Sequence, residues 1–385
     1  MRLTAELRAL RSKGLHRRLR TLSRNGFRIR AGGRTFIDFS SNDYLGLGRR
    51  SETARAAANA ALRFGSGSGA SRLLSGTLTV HSLLESKLAA FKGEEACLVF
   101  GSGYLANLGA VTALVGDGDA VVLDRLCHAS LVDAARLSGA KLLVYPHRDM
   151  AALDKILHRV GATRRVAPTY RRILVATDAY FSMDGDVAPL EKLVSVCRRR
   201  GAWLLVDEAH STGVFGETGA GLTEHCALQG KIEVVMGTLS KAIGSVGGYI
   251  AGKKPLIEFL VNRARPFIFT TALPPSAAAA AIRAIELIEK EPGLRRTLWK
   301  RSTRVRRALK KAGFRLAPST GPIVPVMFPG KKALKASEKL RERGIYAPAI
   351  RPPTVKEGTE RIRLSLSAGH SEADIEALIA AFNKL

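Results

Sequence analysis

Six short runs of apolar residues recur through the middle of the chain, and amphipathic stretches separate them. The runs are Ala96–Phe100, Ala120–Leu123, Lys141–Tyr145, Arg172–Thr177, Trp203–Val206 and Val234–Met236. Stretches such as Gly103–Val115 and Pro189–Arg200 repeat apolar residues at helical spacing. Continuous apolar strands that alternate with helices indicate an α/β fold with a mainly parallel sheet covered on both faces. Ligands of such sheets bind at the carboxyl ends of the strands.

The same pattern divides the 385 residues into three parts. We expect an N-terminal arm at residues 1–45, a large domain at 46–275 and a smaller α+β domain at 276–385. In the arm, the sequence pattern predicts a helix and then a short strand pair around Phe27–Phe39. The small domain begins with a long predicted helix at Ser276–Glu289.

Composition is that of an ordinary globular protein, with 46% hydrophobic and 24% charged residues. The longest apolar runs are too short to cross a bilayer. The cysteines Cys97, Cys127, Cys197 and Cys226 are scattered, with no CxxC and no His/Cys cluster. We therefore expect neither disulfides nor a metal site, and a reducing compartment, the cytoplasm, fits the sequence.

The formal net charge is +28, with basic clusters such as Arg301–Lys311. A nucleic-acid-binding protein is one interpretation. The clusters lack interleaved aromatic residues, which favours a generally basic surface that attracts anionic substrates. Met1–Arg30 holds nine Arg, one Lys and one Glu and could pass for a mitochondrial transit peptide. Because its pattern continues directly into the folded sequence, we expect an amphipathic basic helix packed on the body of the protein.

Lys241 stands in the string GTLSKAIGSVGG, among small residues that let a flat ring approach closely. The string LLVDEAHSTG, Leu204–Gly213, places Asp207 at the end of an earlier apolar strand. A lysine that carries an aldehyde cofactor, with an acid on the pyridine nitrogen, is what carbanion chemistry on an amino acid requires. An exposed helix lysine is the alternative, but the glycine-rich turn favours a pyridoxal-phosphate site.

An acid such as Asp207 can also be a metal ligand or a nucleophile. As a cofactor partner it keeps the pyridine nitrogen protonated, so that the ring accepts electrons. His210, three residues on, can then bind the phenolic oxygen of the ring. The string DEAH also occurs in helicases, but no GxxxxGK[ST] phosphate loop lies upstream.

Two further candidates come from strings that follow predicted strands. His128, in DRLCHASL, can stack on the pyridine face, although a histidine before a small residue is more often a capping or packing residue. Ser182, in YFSMDGDVAPL, can orient His210 or the ring oxygen, and a surface turn is its alternative.

A phosphate requires backbone N–H groups at the start of a helix. The string GSGYLANLG offers such a glycine-rich turn, so Gly103 and Tyr104 are candidates. Thr238, three residues before Lys241, can add its hydroxyl.

The C-terminal part carries AIRPPTVKEGTERIRLSLSAGH. Arg351, Thr354 and Arg363 are candidates for binding a carboxylate, which arginine binds bidentately. Arg361 and Arg363 alternate on a predicted strand and so share a face. The alternative is that both arginines are exposed to solvent on the strand and bind no ligand.

Seven strings in order along nearly the whole chain carry a resemblance to a known family. They are SSNDYLGL, SGSGASRLLSGT, DRLCHASL, FSMDGD, VDEAHSTGVFG, GTLSKAIG and IRPPTV. Together they resemble the α-oxoamine synthases, a family of fold-type I pyridoxal-phosphate enzymes. FIFTTALPP and IRPPTV are most similar to the 8-amino-7-oxononanoate synthases of biotin synthesis.

The resemblance implies a homodimer with active sites at the subunit interface. It implies a covalent bond from Lys241 to the cofactor, and cofactor contacts by Gly103, Tyr104, His128, Ser182, Asp207, His210 and Thr238. Thr271 is expected to reach the phosphate of the neighbouring subunit. Substrate contacts are expected from Asn42, His128, Arg351, Thr354, Arg363 and an N-terminal arginine. Among His16, Arg17 and Arg18 of LHRRLR, Arg17 is our choice for that arginine.

The activity that the resemblance implies is a decarboxylating condensation of L-alanine with a pimeloyl thioester, on coenzyme A or acyl carrier protein, to give 8-amino-7-oxononanoate. Other reactions of the family stay open, namely those of glycine C-acetyltransferase, 5-aminolevulinate synthase and serine palmitoyltransferase. Outside the enzyme class, a basic nucleic-acid-binding protein on the same scaffold is the alternative.

Overall fold

The computed structural model describes residues 2–12, 15–17, 19–161 and 170–385. The strands in these residues are β1 (Ser23–Asn25), β2 (Arg28–Ala31), β3 (Arg34–Asp38), β4 (Ala96–Phe100), β5 (Ala120–Asp124), β6 (Lys141–Tyr145), β7 (Ile173–Asp178), β8 (Trp203–Asp207), β9 (Val234–Thr238), β10 (Gly248–Gly252), β11 (Ile323–Met327), β12 (Ile345–Tyr346), β13 (Ala349–Ile350) and β14 (Arg361–Ser365). The helices are α1 (Arg2–Ser12), α2 (Ser51–Phe64), α3 (Thr79–Lys92), α4 (Gly103–Leu114), α5 (Ala129–Leu137), α6 (Met150–Gly161), α7 (Leu190–Arg200), α8 (Leu222–His225), α9 (Lys254–Arg263), α10 (Arg265–Ile268), α11 (Pro275–Lys290), α12 (Pro292–Lys311), α13 (Lys332–Glu342) and α14 (Glu372–Asn383).

A seven-stranded sheet in the described residues forms the centre of the molecule, in the order β4-β10-β9-β8-β7-β5-β6. The pairs from β9 through β6 are parallel. The central strands are buried because apolar side chains cover both of their faces, one packed with α4, α5 and α9 and the other with α3, α6, α7 and α11. The predicted mainly parallel α/β sheet is confirmed.

The antiparallel strand β10 was missing from the six predicted runs. It lies between β4 and β9 and pairs antiparallel with both. Its sequence, GYIAG, begins and ends with glycine and gives little strand signal. A side chain at Gly248 would meet Gly103 Cα at 2.5 Å, so this glycine lets the start of α4 lie against the sheet.

The N-terminal strands pack on the C-terminal part of the chain. They form three antiparallel strands, where the sequence predicted a pair, and β3 pairs in parallel with β12. The backbone N–H of Ser365 donates to Phe39 O at 2.8 Å, and that of Ala368 to Tyr44 O at 2.8 Å. These hydrogen bonds bring the SSNDYLGL segment to β14. The division of the chain into domains at residues 45 and 275 stays a prediction.

The helix α1 does not pack on the body of the chain, which corrects the sequence-based expectation. The side chains on its apolar stripe are exposed, Leu3 by 72%, Leu7 by 44% and Leu10 by 40%. The helix is amphipathic as predicted, but no surface of the described chain covers its apolar side.

Among the described helices, none combines the length and the apolar character that crossing a lipid bilayer requires.

Candidate functional site

The carboxyl ends of the parallel strands place several acids at one edge of the sheet. β7 and β8 end side by side at Asp178 and Asp207, which are paired in register. β9 ends next to them at Thr238, and Lys241 follows in the turn after this strand. The short, fully buried strands stop where the polar residues begin, so the sequence pattern itself sets this edge.

A cavity of about 180 Å³ opens at this edge. Its lining includes the candidates Gly103, Tyr104, His128, Asp207, His210, Thr238 and Lys241, together with Asn107, Ser130, Asp178, Ala209 and Met236. Seven predicted cofactor residues from four separate parts of the chain therefore line one cavity.

Lys241 is held by a tight turn whose geometry needs glycine. The backbone N–H of Gly244 donates to Lys241 O at 2.9 Å. Gly244 has φ of 74°, and a side chain there would meet the backbone N of Gly48 at 2.1 Å. Burial lowers the pKa of Lys241 to about 8, although Asp207 and Asp178 act in the opposite direction. Near neutral pH an appreciable fraction of this amine is therefore uncharged and nucleophilic.

Asp207 accepts two hydrogen bonds that orient its carboxylate. Asn107 Nδ2 donates to Asp207 Oδ2 at 2.8 Å, and the backbone N–H of Ala209 donates to Oδ1 at 2.8 Å. Burial raises the pKa of the neighbouring Asp178 well above its usual range, and the charge of Asp207 adds to the rise. Burial and the charge of Asp207 therefore both disfavour ionisation of Asp178.

His128 is both a helix cap and a residue of the cavity. Its side chain caps α5, since the backbone N–H of Ser130 donates to Nδ1 at 3.3 Å. The backbone N–H of His128 donates to Asp178 Oδ1 at 3.1 Å. Burial lowers the pKa of His128, Asp207 opposes this and Lys241 adds to it, so the ring is neutral at physiological pH. The capping alternative is thus observed, and the ring also lines the cavity.

His210 is buried and lies against a tyrosine that the sequence interpretation gave no role. Its Nδ1 is 2.7 Å from the hydroxyl of Tyr44, which is fully buried. Burial lowers the pKa of His210 well below its usual range, and the charges of Lys241 and Arg363 add to this. A neutral His210 has one ring nitrogen that donates and one that accepts.

The start of α4 offers backbone donors to an anion. Ser102 caps the helix by accepting from the backbone N–H of Leu105 at 3.2 Å. The backbone N–H groups of Gly103 and Tyr104 come before that of Leu105 in the first turn of α4. They have no partner inside the helix. A side chain at Gly103 would meet Met236 Cε at 3.0 Å, so the glycine leaves space there.

The hydroxyl of Thr238, predicted to bind the phosphate, and the hydroxyl of Tyr104 both have protein partners. Thr238 Oγ1 donates to Gly247 O at 2.8 Å, and the Tyr104 hydroxyl donates to Asp133 Oδ2 at 2.7 Å. For Tyr104, the backbone N–H is therefore the group that can hold a phosphate.

Arg363 is buried and held by four hydrogen bonds. Its Nε donates to Ser182 O and its Nη1 to Ser365 Oγ at 2.9 Å. Its Nη2 donates to Asn42 Oδ1 at 3.1 Å and to the Tyr44 hydroxyl at 3.2 Å. Four of its five N–H groups are thus in use, and a bidentate bond to a carboxylate requires that at least one of them change partner.

Arg361 shares a face with Arg363, as predicted. It binds Asp184 and the carbonyl of Met183, while Arg363 binds the carbonyl of Ser182 in the same loop. Arg361 is 5% exposed and Arg363 is 7% exposed. The alternative of two solvated arginines is therefore wrong. Ser182 contacts Arg363 through its carbonyl and does not belong to the lining of the Lys241 cavity.

Arg17 and Arg351 line a second cavity, of about 880 Å³, between the arm, α13 and β12–β13, and Thr354 is not part of its lining. Arg17 Nη2 donates to Thr354 Oγ1 at 3.4 Å, and Arg351 Nη2 to His16 O at 3.5 Å. The structure therefore brings Arg17, Thr354 and Arg351 near one another. Arg18 lies outside the described residues.

Thr271 is exposed and lines neither cavity. Its described contact is an isolated bridge to Ser71. This position agrees with a contact to another subunit, which stays a prediction.

Three site residues went unrecognised in the sequence, namely Tyr44, Asn107 and Ser130. Asn107 comes four residues after Gly103 and so lies on the same face of α4, which is a signal that helix periodicity could have given. Tyr44 stands inside SSNDYLGL, but its hydrogen bond to His210 spans 166 residues and has no local signature.

Over the described residues, no group of three or more His, Cys, Asp or Glu side chains is arranged to hold a metal ion.

The comparisons with known proteins agree with this geometry. The family described as Aminotransferase class I and II matches residues 34–382. An 8-amino-7-oxononanoate synthase of Anaeromyxobacter sp. (strain K) is 50% identical over 379 residues, which cover 98% of this chain and 93% of that protein. One of Geobacter sulfurreducens is 47% identical over 389 residues, which cover 100% of this chain and 97% of that protein.

Solved structures show the same fold. Serine palmitoyltransferase of Sphingomonas wittichii has a TM-score of 0.92 and 34% identity, and covers 99% of this chain and 96% of its own. A structure of SPT with PLP (serine palmitoyltransferase with pyridoxal phosphate) has the same TM-score, sequence identity and coverage. The 8-amino-7-oxononanoate synthase of Francisella tularensis has a TM-score of 0.76 and 27% identity, and covers 91% of this chain and 97% of its own.

Proposed function

This chain belongs to the aminotransferase class I and II family, and from that premise we propose that it condenses L-alanine with a pimeloyl thioester. The products are 8-amino-7-oxononanoate, carbon dioxide and the free thiol, and the reaction is a step of biotin synthesis. One observation carries the proposal: a lysine with a lowered pKa lines the same cavity as Asp207 and His128, in a chain half identical to named synthases of this product.

The cofactor of this fold-type I enzyme is pyridoxal 5'-phosphate, and the residues of the cavity fit it. The donor set contains an amine, an acid and a flat neutral imidazole. The glycine at the start of α4 leaves two backbone N–H groups open, and a side chain in its place would make a tight contact of 3.0 Å with Met236 Cε. When bound, the cofactor accepts the electron pair that leaves the substrate Cα.

We assign the cofactor contacts from these positions. Lys241 Nζ binds the aldehyde carbon, and the Asp207 carboxylate holds a proton on the pyridine nitrogen. His128 lies against the ring, and His210 Nε2–H donates to the phenolic oxygen. The N–H groups of Gly103 and Tyr104 hold the phosphate, with Thr238 as a supporting contact. Ser182 lies outside the lining of the cavity, and its contact to the cofactor is proposed from the family resemblance alone.

The reaction requires protein groups that hold alanine and move its Cα proton. Arg363 binds the alanine carboxylate, with Asn42 and Tyr44 fixing the guanidinium. Lys241 Nζ, whose pKa of about 8 permits both protonation states near neutral pH, takes the Cα proton and returns one at the end. Arg363 must hold the carboxylate without favouring it so strongly that decarboxylation slows.

The acyl thioester enters from the second cavity. Arg17, Thr354 and Arg351 are the contacts that we propose for it, since they meet at its edge. The net charge of +28 favours association with the anionic carrier.

We further propose that the active enzyme is a cytoplasmic homodimer in which Thr271 reaches the phosphate of the neighbouring site. The exposed position of Thr271 supports this arrangement. Analytical ultracentrifugation tests the dimer, and a purely monomeric active enzyme would exclude it.

The experiment that tests the function is a product assay by mass spectrometry. The purified holoenzyme is given alanine, glycine or serine, each with pimeloyl-CoA, pimeloyl-acyl carrier protein, acetyl-CoA, succinyl-CoA and palmitoyl-CoA. We expect 8-amino-7-oxononanoate from alanine with a pimeloyl thioester, and none from the Lys241→Ala variant.

A second candidate is a serine palmitoyltransferase-like activity, which the structural similarity at a TM-score of 0.92 favours. Product from serine and palmitoyl-CoA, with none from alanine and pimeloyl thioesters, would replace the proposed function with this one.

A further inference from the structure

Asn107 contains a buried polar atom that the fold leaves without a hydrogen bond. The side chain is fully buried in α4, and its Oδ1 has no partner among the described residues. An unpaired buried amide oxygen lowers stability, so its presence needs another explanation. The other end of the same amide supplies one.

Asn107 Nδ2 donates two hydrogen bonds at once. One goes to Asp207 Oδ2 at 2.8 Å and the other to Ser130 Oγ at 2.9 Å. Turning the amide by 180° would place Oδ1 against the Asp207 carboxylate, and an acceptor would then face an acceptor. The charge of Asp207 therefore fixes the orientation of the amide, and Oδ1 is left unpaired as a consequence.

This orientation decides where the hydroxyl proton of Ser130 goes. Ser130 Oγ accepts from Asn107 and lies 2.8 Å from His128 Nδ1. Because Asn107 supplies the hydrogen of the first contact, the hydrogen of Ser130 is available for the second. The backbone N–H of Ser130, 3.3 Å from Nδ1, can only donate as well.

His128 Nδ1 thus faces two donors and must accept. A neutral imidazole that accepts at Nδ1 carries its proton on Nε2. In the described part of the chain Nε2 has no hydrogen-bond partner, and the ring lines the Lys241 cavity. The ring then offers a donor to that cavity.

We propose that Asn107 is a positioning residue that fixes His128 as the Nε2–H tautomer by way of the Ser130 hydroxyl. The catalytic consequence rests on the function proposed above: His128 donates a hydrogen bond to a substrate oxygen and does not serve as a base at Nε2. The tautomer itself does not depend on that function.

The test is the protonation of the His128 ring in holoenzyme labelled with ¹⁵N-histidine, read by two-bond ¹H–¹⁵N NMR between about pH 6 and 8. The chain has eight histidines, and a His128→Gln variant assigns the signal. We expect the Nε2–H form alone in the parent. In Asn107→Leu the Ser130 hydroxyl is free to turn, and only the longer backbone contact at 3.3 Å still favours an accepting Nδ1. The Nδ1–H form is therefore expected to appear beside the Nε2–H form.

Asn107→Asp places a carboxyl group at hydrogen-bond distance from Asp207 Oδ2, so the two acids hold one proton between them. The oxygen that faces Ser130 then accepts from its hydroxyl, which presents a lone pair to His128, and a larger share of the Nδ1–H form is expected than in Asn107→Leu. Thr112→Val is the matched control, since it removes a hydrogen bond to Leu108 O from the same helix. It should leave the tautomer unchanged.

Activity gives a second readout. In Asn107→Leu we expect kcat to fall by about 10- to 100-fold, as when the outer partner of a catalytic group is removed. Should the Asn107 variants fail to fold, Ser130→Ala removes the hydroxyl alone and is expected to give both tautomers.

A single Nε2–H form in every folded variant would overturn the proposal, and so would an Nδ1–H form in the parent. If the tautomer changes as expected but no enzyme makes the amino ketone, the inference stands and the proposed function fails.

Discussion

The hydroxyl of Tyr44 lies 2.7 Å from Nδ1 of His210, and both side chains are buried. The same hydroxyl accepts from Arg363 Nη2 at 3.2 Å. It also lies 3.3 Å from Asn42 Oδ1, so the contact with His210 is the shorter of the two that its own proton can make. Tyr44 therefore joins His210, the proposed contact to the cofactor oxygen, with Arg363, the proposed contact to the substrate carboxylate. Tyr44 thus links two ends of the site that belong to different parts of the chain.

We predict that Tyr44→Phe lowers kcat/KM for alanine by about 10- to 100-fold and costs about 1–3 kcal/mol of the free energy of unfolding. The reason is that His210 Nδ1 and one N–H of Arg363 both lose their partner. Steady-state kinetics and urea denaturation measure the two effects.

Tyr249→Phe is the matched control for this variant. Tyr249 is also fully buried, and its hydroxyl bonds Thr212 Oγ1 at 3.1 Å, but it does not line the cavity. The Tyr249→Phe variant should be less stable than the parent and have the same kcat/KM for alanine. Equal catalytic losses in the two variants would show that the Tyr44 effect is general destabilisation.

Arg363→Lys is predicted to raise KM for alanine by about 10- to 100-fold with little change in cofactor affinity. A lysine cannot reproduce the planar fork that meets Ser182, Asn42 and a carboxylate together. Initial rates over a range of alanine concentrations, and cofactor titration by absorbance, separate the two quantities.

The control is Arg361→Lys, two residues away on the same face of β14 and equally buried. Arg361 binds Asp184 and Met183 O, so the Arg361→Lys variant should change the stability of the protein but not the KM for alanine. A KM that rises as much in Arg361→Lys would remove Arg363 from its proposed place as the carboxylate ligand.

The sheet and the main site positions could be predicted from the sequence because their causes are local. A strand buried on both faces is a continuous apolar run, and the polar residues that follow it must lie at its carboxyl end. This reasoning located Asp207 and Lys241. It missed β10, where Gly248 is required by the close approach of α4 and not by the strand itself.

The hydrogen-bond partners of the site residues could not be predicted in the same way. The contact of Asn107 with Asp207 spans 100 residues, and that of Tyr44 with His210 spans 166. Such pairs depend on which helix and strand the fold brings together, and nothing in either local string records the other. The exposed stripe of α1 is the converse case, where a local pattern predicted packing that the rest of the described chain does not supply.

The pKa of Lys241, about 8, predicts how uptake of pyridoxal phosphate by the apoenzyme depends on pH. The neutral fraction of the amine rises about tenfold between pH 7 and 9 and then levels off, so the uptake rate should do the same. A lysine with its ordinary pKa of 10.5 would give a rise of about 100-fold over this range with no plateau. Stopped-flow absorbance measures the rate.

Lys231→Ala, a change at an exposed lysine, controls for general effects of lost charge and should give the parent curve. Lys241→Ala should show no pH-dependent covalent uptake. After borohydride reduction, peptide mapping of the parent should find the modified peptide at Lys241. A modified peptide elsewhere would contradict the assignment.

His147 links the strand ends to the loop that holds Arg363. Its Nδ1 lies 2.9 Å from Asp124 Oδ1, and its Nε2 lies 2.9 Å from Asp186 Oδ2. These hydrogen bonds outweigh desolvation and raise the pKa of His147 to about 9. The charged ring therefore ties the loop of Ser182 and Asp186 to β5.

The raised pKa predicts stability that depends on pH. The folded value of about 9 exceeds the ordinary value of 6.5, so the contribution is complete below pH 6.5 and is lost as pH rises through 9. Its size is roughly 3 kcal/mol at most, because one pKa unit corresponds to about 1.4 kcal/mol. The difference in free energy of unfolding between the parent and His147→Gln should therefore shrink between pH 6.5 and 9.5, when measured by urea denaturation at fixed protein concentration.

Asp186→Asn tests the source of this effect. It removes one of the two carboxylates, so the pH at which the contribution disappears should move down toward the ordinary value for histidine. A difference between the parent and His147→Gln that stays constant from pH 6.5 to 9.5 would mean that His147 is not charged in the fold, and the loop of Arg363 would then be held by neutral hydrogen bonds alone.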